Sequence, residues 1–446
     1  MDKMEEAKNE KTQITPIAVT NWRDIRRIFG IKQKNRRGHM YVIGKTGTGK
    51  STLIANMVIS DLREGNGLAL IDPHGDLAET VLQYVPKERV NDVIYFNATD
   101  FDYPIAFNPL RNVHPDQRHL VVSGLISVFK KLWSEFWGPR MEHIIRYSLL
   151  TLLEFPGSTL LDLPALLTDN VVRRRAINRL TDPHVRSFWI NEFQKYTVWL
   201  KAESTAPILN RLGQFASSAP VRNIVGQAGN TFSVRRAMDE GKILIVNVSK
   251  GEVGEDNCSL LGALLVTQIQ LATLHRAYVR EESRHPFYLY IDEFHNFITV
   301  SLADMLSESR KFGLNLVLAN QYLDQLHEKI RAAVLGNVGS LLSFRVGSED
   351  ARFLVKEFAP EFEEADLINL PNYQIYLKLM VNGVTSRPFS ATTLPLPEAH
   401  SSRVPEIVKN SRIRYAKKKE EVEARIHLKS LHLKDEYEPK QNGLFS

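Results

Sequence analysis

Residues 40–52 read MYVIGKTGTGKST, and this stretch decides the fold of the chain. Its first four residues are apolar and β-prone, while the residues after Lys50, STLIANMVISDL, have the apolar spacing of a helix. The loop between them matches the pattern G-x-x-x-x-G-K-[ST] at Gly44, Gly49, Lys50 and Ser51. Small residues in such a loop let backbone N–H groups close around a phosphate, which the following helix N-terminus also attracts. The stretch therefore predicts a phosphate-binding loop (P-loop) between a strand and a helix.

The P-loop predicts a set of nucleotide contacts. Lys50 is expected to reach the β- and γ-phosphates, and the Ser51 hydroxyl is expected to bind Mg²⁺. The residues expected to surround the phosphates are Gly44, Lys45, Thr46, Gly47, Thr48, Gly49, Lys50, Ser51 and Thr52.

The rest of the chain supplies further short apolar runs, separated by helical segments. They read GLALID, DVIYFN, KILIVNVS, FYLYIDE, LNLVLANQ, SLLSFRVG and QIYLKLMVNG. Nearly continuous hydrophobic runs that alternate with helices are typical of a mainly parallel sheet covered on both faces. The predicted fold class is therefore α/β.

A helical block interrupts this pattern at residues 112–235. Its apolar residues recur at intervals of three and four, and it contains four of the five tryptophans. We expect an all-α domain inserted between two parts of the α/β domain, at 21–111 and 236–400. Residues 1–20 are expected to form a flexible tail, and 401–446 a charged helix or a disordered arm.

Composition sets looser bounds on function. The 446 residues carry 57 Lys and Arg against 51 Asp and Glu, so the net charge of +6 permits a nucleic-acid partner without indicating one. The single cysteine, Cys258, excludes an internal disulfide. The longest apolar stretch, at 260–274, contains two glutamines and is interpreted as a buried helix. With no signal-peptide pattern at its start, the chain is expected to be cytoplasmic and without a membrane span.

Polar residues at the ends of two further predicted strands indicate that the bound nucleotide is hydrolysed. Asp292 and Glu293 follow FYLYI, where Asp292 could hold Mg²⁺ and Glu293 could polarise the attacking water. Gln321 ends the next predicted strand and could orient that water or sense the γ-phosphate. The alternatives are ordinary surface acids for the pair and a turn cap for the glutamine.

The remaining candidates near phosphate are two arginines and a histidine. Arg310, on the helix before LNLVL, could act across a subunit boundary as an arginine finger, and Arg345 competes for that role. His74 ends a strand beside Asp72, where the alternative is a turn with a capping aspartate. No guanine-specific [NT]-K-x-D pattern follows a strand, so ATP is favoured over GTP.

Several of these strings together resemble the HerA/FtsK superfamily of P-loop ATPases, especially soluble relatives of the type IV secretion coupling ATPases. The resemblance covers about 29–394 and is carried by HMYVIGKTGTGKSTLI, GLALIDPHGDLAE, FNPL, WGPRMEHIIRYSLLTLLE, LIVNVSKGEVGED, YIDEFHNF, SESRKFGLNLVLANQYLDQL and GNVGSLLSFRVGSEDA. Coupling proteins of the membrane-bound kind carry N-terminal spanning helices, and no such helix is expected from this sequence.

The resemblance implies a RecA-like core that assembles as a ring, usually a hexamer, and uses ATP to move along DNA. It assigns the catalytic lysine and Mg²⁺-binding serine to Lys50 and Ser51, and the acidic pair to Asp292 and Glu293. Gln321 matches the glutamine after the next strand, and Arg310 matches the arginine that acts in trans. Without spanning helices, two alternatives remain open: the chain docks on a membrane protein or a relaxosome, or it serves a soluble process such as plasmid or mobile-element maintenance or DNA end-processing.

Three functions are compatible with these residues. The first is an ATP-driven DNA motor, for duplex or transferred single-stranded DNA. The second is a secretion ATPase that acts on protein cargo. The third is a nucleotide-gated scaffold that binds DNA or a partner without translocation, against which the intact pair Asp292 and Glu293 argues.

Overall fold

The computed structural model describes residues 13–21, 25–399 and 403–435. Its thirteen strands are β1 Ile14–Thr20, β2 Ile28–Lys32, β3 Met40–Ile43, β4 Gly67–Asp72, β5 Val93–Asn97, β6 Ile243–Asn247, β7 Phe287–Ile291, β8 Leu314–Asn320, β9 Ser340–Ser343, β10 Gln374–Lys378, β11 Met380–Val381, β12 Val384–Thr385 and β13 Phe389–Thr393.

The α-helices in the described residues are α1 Gln33–Arg36, α2 Lys50–Arg63, α3 Asp76–Leu82, α4 Arg118–Leu132, α5 Pro139–Leu153, α6 Leu163–Thr168, α7 Asn170–Arg179, α8 Pro183–Ser187, α9 Val198–Ser217, α10 Ala219–Val225, α11 Val234–Asp239, α12 Lys250–Val253, α13 Glu255–His275, α14 Val300–Glu308, α15 Glu328–Asn337, α16 Ser348–Phe358, α17 Glu364–Asn369, α18 Val404–Tyr415 and α19 Lys419–Asp435.

The chain divides into two compact units. The first contains 1–96, 234–251 and 265–411, and the second contains 97–233, 252–264 and 412–446. The second unit includes helices α4 to α10 and α19, with an aromatic cluster in which Trp189 is fully buried and donates through its indole N–H to Thr151 Oγ1 at 2.8 Å.

The first unit is built on an eleven-stranded sheet in the order β2-β1-β13-β10-β9-β3-β8-β7-β4-β6-β5. Strands β9, β3, β8, β7, β4 and β6 pair in parallel. Strands β10, β13, β1 and β2 extend the sheet in antiparallel pairings on the β9 side. The predicted α/β class with a mainly parallel sheet is confirmed.

The parallel strands are apolar because helices cover both faces. All residues of β3, β4, β6, β7 and β8 are buried, as the continuous hydrophobic runs predicted. Their carboxyl ends lie at one edge of the sheet, which is where ligands bind in open α/β folds. We call this the carboxyl edge, and the opposite one the amino edge.

The ends of the chain differ in part from the expectation. Residues 14–20 form β1 rather than a flexible tail, because Ile17 and Ala18 are fully buried between β2 and β13. Residues 1–12 lie outside the described residues. The C-terminal segment was expected to form a charged helix or a disordered arm. It contains the helices α18 and α19, and 436–446 lie outside the described residues.

One described helix is long and apolar enough to span a membrane. It covers Glu255–Tyr278, and 61% of its most apolar window is buried inside the protein. The stretch predicted to be a buried helix, 260–274, lies within it, and Leu261, Leu264 and Leu265 are fully buried.

A buried ion pair fixes strand and helix positions behind the P-loop. The two terminal guanidinium nitrogens of Arg36, Nη1 and Nη2, donate to the Asp61 carboxylate, at 2.6 and 2.9 Å. Arg36 also donates to Thr15 and Tyr290, at 2.8 and 2.5 Å, and lies 3.7 Å from the ring centroid of Tyr288. The cluster therefore joins α1, α2, β1 and β7 through the two terminal nitrogens of one buried cation.

His39 stabilises the amino edge in its neutral form. Burial, the largest cause, lowers its pKa to about 4, and the charge of Arg310 lowers it further. Its Nδ1 accepts the Leu316 N–H at 3.1 Å, so the proton resides on Nε2, 3.2 Å from Ser309 Oγ.

We predict that this histidine makes stability depend on pH. Because its folded pKa is lower than the unfolded value of 6.5, the unfolded chain binds more protons between pH 4 and 6.5. The free energy of unfolding should therefore fall by about 2.5 kcal/mol from pH 7 to pH 4.5 through this group alone. His39→Asn keeps an acceptor for the Leu316 N–H and tolerates the left-handed φ of 60°.

Urea unfolding at pH 7 and pH 4.5 checks this prediction. His39→Asn should lose roughly 2.5 kcal/mol less than the wild type on acidification. Equal losses in the two proteins would show that other groups cause the acid sensitivity.

Candidate functional site

The P-loop lies at the carboxyl edge, between β3 and α2. Gly47 and Gly49 have φ of 75° and 115°, in the region that favours glycine. A Cβ on Gly49 would lie 2.9 Å from the Tyr373 ring, and one on Gly44 would lie 2.5 Å from Phe344 Cβ. Backbone conformation therefore favours glycine at 47 and 49, and steric limits require it at 44 and 49.

Lys50 lies at the first turn of α2, and its ammonium points back over the loop. Nζ donates to the carbonyl of Gly44 at 2.6 Å and to that of Lys45 at 3.2 Å. Burial is the largest influence on its pKa and lowers it, while Glu293 and Asp292 act in the opposite direction. The P-loop thus holds one buried cation at its centre.

Ser51 meets the acid that follows β7. Its hydroxyl donates to Asp292 Oδ2 at 3.2 Å, although 241 positions separate the two residues in sequence. Burial raises the pKa of Asp292 to about 6, and the charges of Glu293 and Asp72 raise it as well. The Asp292 carboxyl group therefore lies beside Ser51, where the sequence predicted a cation site.

This donor set fits Mg²⁺. A hydroxyl and a carboxylate are hard oxygen ligands, and Mg²⁺ commonly takes only one or two protein ligands, with water and phosphate oxygens completing its shell. Among the described residues, no group of three or more His, Cys, Asp and Glu side chains is arranged to hold a metal by itself. Ser51 and Asp292 are accordingly the pair that would hold Mg²⁺ beside a bound phosphate.

Glu293 is held in a strained and restrained position. Its φ of 45° is left-handed, which is rare for a glutamate and is found mainly where surrounding contacts enforce it. Gln321 Nε2 donates to Glu293 Oε1 at 2.9 Å, and Asn296 Nδ2 donates to its carbonyl at 2.7 Å. His295 Nδ1 lies 3.5 Å from Glu293 Oε2. The structure brings Glu293 and Gln321 into direct contact, which the sequence analysis did not predict.

Sequence reasoning missed the residues that support Glu293. Lys250 Nζ donates to Asn296 Oδ1 at 2.7 Å, which links the residues after β6 to the loop after β7. Gln325 Nε2 lies 3.3 Å from His295 Nε2, and Gln325 Oε1 accepts the Gln321 N–H at 3.1 Å. Polarity at a strand end, the rule that selected Asp292, gave no signal for Lys250, because β6 ends at Asn247 and Lys250 lies in α12.

In the segment DPHGD, a turn with a capping aspartate was the alternative to a role for His74 near phosphate. The structure shows that turn, and Asp72 forms it. Its carboxylate accepts the backbone N–H of His74 at 2.8 Å and that of Ala78 at 2.9 Å, so it caps α3. The His74 side chain is exposed.

The two candidate arginines lie at opposite edges of the sheet. Arg345 follows β9 at the carboxyl edge, where its carbonyl accepts the Lys45 N–H at 2.9 Å and its guanidinium donates to Asn372 Oδ1 at 2.9 Å. Arg310 is exposed in the turn Ser309–Phe312, which precedes β8 at the amino edge. Seven strand residues place about 20 Å between that turn and the P-loop edge. Arg310 therefore lies far from the phosphate cradle of its own chain.

Comparison with known proteins agrees with this architecture. Residues 185–358 match the family model of the type IV secretion-system coupling protein DNA-binding domain. No curated protein sequence matches the chain. The plasmid coupling protein TrwB in complex with ADP and Mg²⁺ is similar in structure, with a TM-score of 0.60, 18% identity, and coverage of 90% of this chain and 94% of that one.

Two further solved structures are similar. TrwB in complex with a non-hydrolysable ATP analogue has a TM-score of 0.59 at 18% identity, covering 90% of this chain and 93% of that one. VirB4 of Thermoanaerobacter pseudethanolicus has a TM-score of 0.58 at 16% identity, covering 88% of this chain and 98% of that one. The predicted RecA-like P-loop fold is confirmed, and it is a fold that this chain shares with TrwB and VirB4.

Proposed function

We propose that this chain, which has the fold of the type IV coupling ATPases, hydrolyses ATP to move DNA. The observation that carries the proposal is the convergence of four side chains beside the P-loop: Lys50, Ser51, Asp292 and Glu293. Phosphoryl transfer to water needs groups that bind the phosphates, bind the metal ion and accept a proton from water, and these side chains can supply all three.

Each side chain has a separate role in hydrolysis. The P-loop backbone and Lys50 bind the phosphates, and the lysine exchanges its bonds to Gly44 and Lys45 for phosphate oxygens. Ser51 and Asp292 would hold Mg²⁺, which would supply positive charge beside the transferring phosphoryl group. Glu293 accepts the proton of the attacking water, and Gln321 orients that carboxylate through its 2.9 Å hydrogen bond.

DNA is the proposed substrate of the motor. The match to a DNA-binding domain of coupling proteins covers residues 185–358. The block 112–235 contains 15 Lys and Arg against 9 Asp and Glu, a positive balance that favours contact with phosphate backbones.

A homo-oligomeric ring, with a hexamer as the expected form, completes the site. The exposure of Arg310 at the amino edge supports this, because a head-to-tail assembly can place the amino edge of one subunit against the carboxyl edge of the next. Arg310 would then contribute to a neighbour's phosphates. A cytoplasmic location, with a membrane protein or relaxosome as docking partner, belongs to the same proposal.

The ATPase rate with different polymers tests the function. We expect duplex or single-stranded DNA to raise turnover of the purified protein at low salt and protein cargo to leave it unchanged, while Lys50→Ala stays inactive throughout. Low salt is needed because phosphate contacts weaken steeply with added ions. Stimulation by protein cargo alone would favour the secretion ATPase instead, and turnover that no polymer changes would contradict a DNA motor.

A further inference from the structure

Tyr373 lies against the P-loop but belongs to the loop before β10. Its N–H donates to the Thr48 carbonyl at 2.8 Å, and its carbonyl accepts the Thr393 N–H at 2.8 Å. Its ring is the group that a Cβ on Gly49 would meet, at 2.9 Å. The backbone of Tyr373 is thus fixed to the phosphate cradle on one side and to β13 on the other.

The conformation of Tyr373 is unfavourable for its residue type. The non-glycine residues with left-handed φ in the described part of the chain are His39, Asn112, Glu293, Tyr373 and Asn382. Asparagine and histidine are enriched in this region, whereas a bulky side chain there is an outlier. The two that break this preference, Glu293 and Tyr373, both lie beside the P-loop. Strain of this kind is typical of functional sites.

Tyr373 is also half exposed, at 52% of the residue, although its ring lies next to the loop backbone at Gly49. An aromatic ring that served only to pack the sheet would be buried, as Tyr41 and Tyr288 are. Arg345, which the neighbouring Asn372 holds at 2.9 Å, keeps a cation at the same edge. The ring therefore lies beside the P-loop in a residue that is half exposed.

We propose that the exposed ring of Tyr373 is the surface on which the base of the bound nucleotide stacks. The inference rests on the proposed ATPase function and assigns a residue that sequence analysis did not select. A nucleotide whose phosphates lie over Gly49 and Lys50 carries its base only a ribose away, so a ring that contacts Gly49 is within its reach. Every base has a π-face, so stacking adds affinity without distinguishing adenine from guanine.

Calorimetric binding of ADP, GDP and inorganic pyrophosphate in the presence of Mg²⁺ tests the inference. Tyr373→Asn removes the ring and suits the left-handed backbone, while Tyr373→Phe keeps the ring. We expect Tyr373→Asn to bind ADP and GDP about 5- to 150-fold more weakly than the wild type, with unchanged pyrophosphate affinity. Tyr373→Phe should bind all three ligands as the wild type does.

The other possible results of the calorimetric measurements would contradict the inference. If Tyr373→Asn weakened ADP and pyrophosphate equally, the ring would serve only to shape the P-loop, and the inference would be wrong. Unchanged ADP affinity in Tyr373→Asn would also overturn it. A wild-type protein that bound neither ADP nor pyrophosphate would refute the proposed function itself, and the inference with it.

Discussion

Glu293→Gln should lower ATP turnover by about 10²- to 10⁴-fold while nucleotide binding persists. The substitution keeps the size and the left-handed backbone of this residue but removes the carboxylate that accepts a proton from water. The P-loop, Lys50 and the Ser51–Asp292 pair are unchanged, so the phosphates should still bind.

Single-turnover hydrolysis and ADP binding check this prediction. Glu79→Gln, on an exposed position of α3, is the matched control and should hydrolyse ATP at the wild-type rate. Wild-type turnover in Glu293→Gln would mean that another group serves as the base.

Arg310→Ala should lower turnover by about 10³- to 10⁵-fold, the range over which arginine fingers act, and should also leave binding intact. The physical reason is its position, because the exposed guanidinium lies about 20 Å from its own P-loop edge and can reach only the phosphates of a neighbour. Lys311→Ala, which removes a cation from the next position of the same turn, is the control and should remain active.

Mixing the two inactive proteins tests action in trans. Arg310→Ala subunits keep Glu293, and Glu293→Gln subunits keep Arg310, so a mixed ring contains complete sites. Equal random mixing should restore activity at about a quarter of the interfaces, because each needs one subunit of each kind in the right order. No recovery, in an assembly shown to be mixed, would contradict action in trans.

The sequence predicted the parallel centre of the sheet and the antiparallel strand β10, but not the antiparallel strands β1, β2 and β13. Strands buried on both faces appear as continuous apolar runs, and these runs located β3 to β10. The strands β1, β2 and β13 were missed because they lie on the antiparallel side of the sheet, where burial is partial, and their sequences mix polar and apolar residues. Without those strands, the place of Tyr373 between β13 and the P-loop could not be foreseen.

The acidic pair and Gln321 were predictable because strand direction places them at one edge, whatever the loops between them do. Arg310 and Arg345 could not be separated in the same way, since each lies next to a strand. Arg345 follows the carboxyl end of β9, whereas Arg310 precedes the amino end of β8. The distance between these two positions is defined only in the folded sheet. The support of Glu293 by Asn296 and Lys250 depends on loop geometry, for which periodicity carries no signal.

The central claim, that ATP hydrolysis moves this protein along DNA, is tested most directly by displacement of a third strand from a triplex on linear duplex DNA. The wild type should release the third strand only when ATP is present, and the Glu293→Gln protein should leave it bound. DNA-stimulated ATP turnover in the wild type without any release of the third strand would contradict the claim.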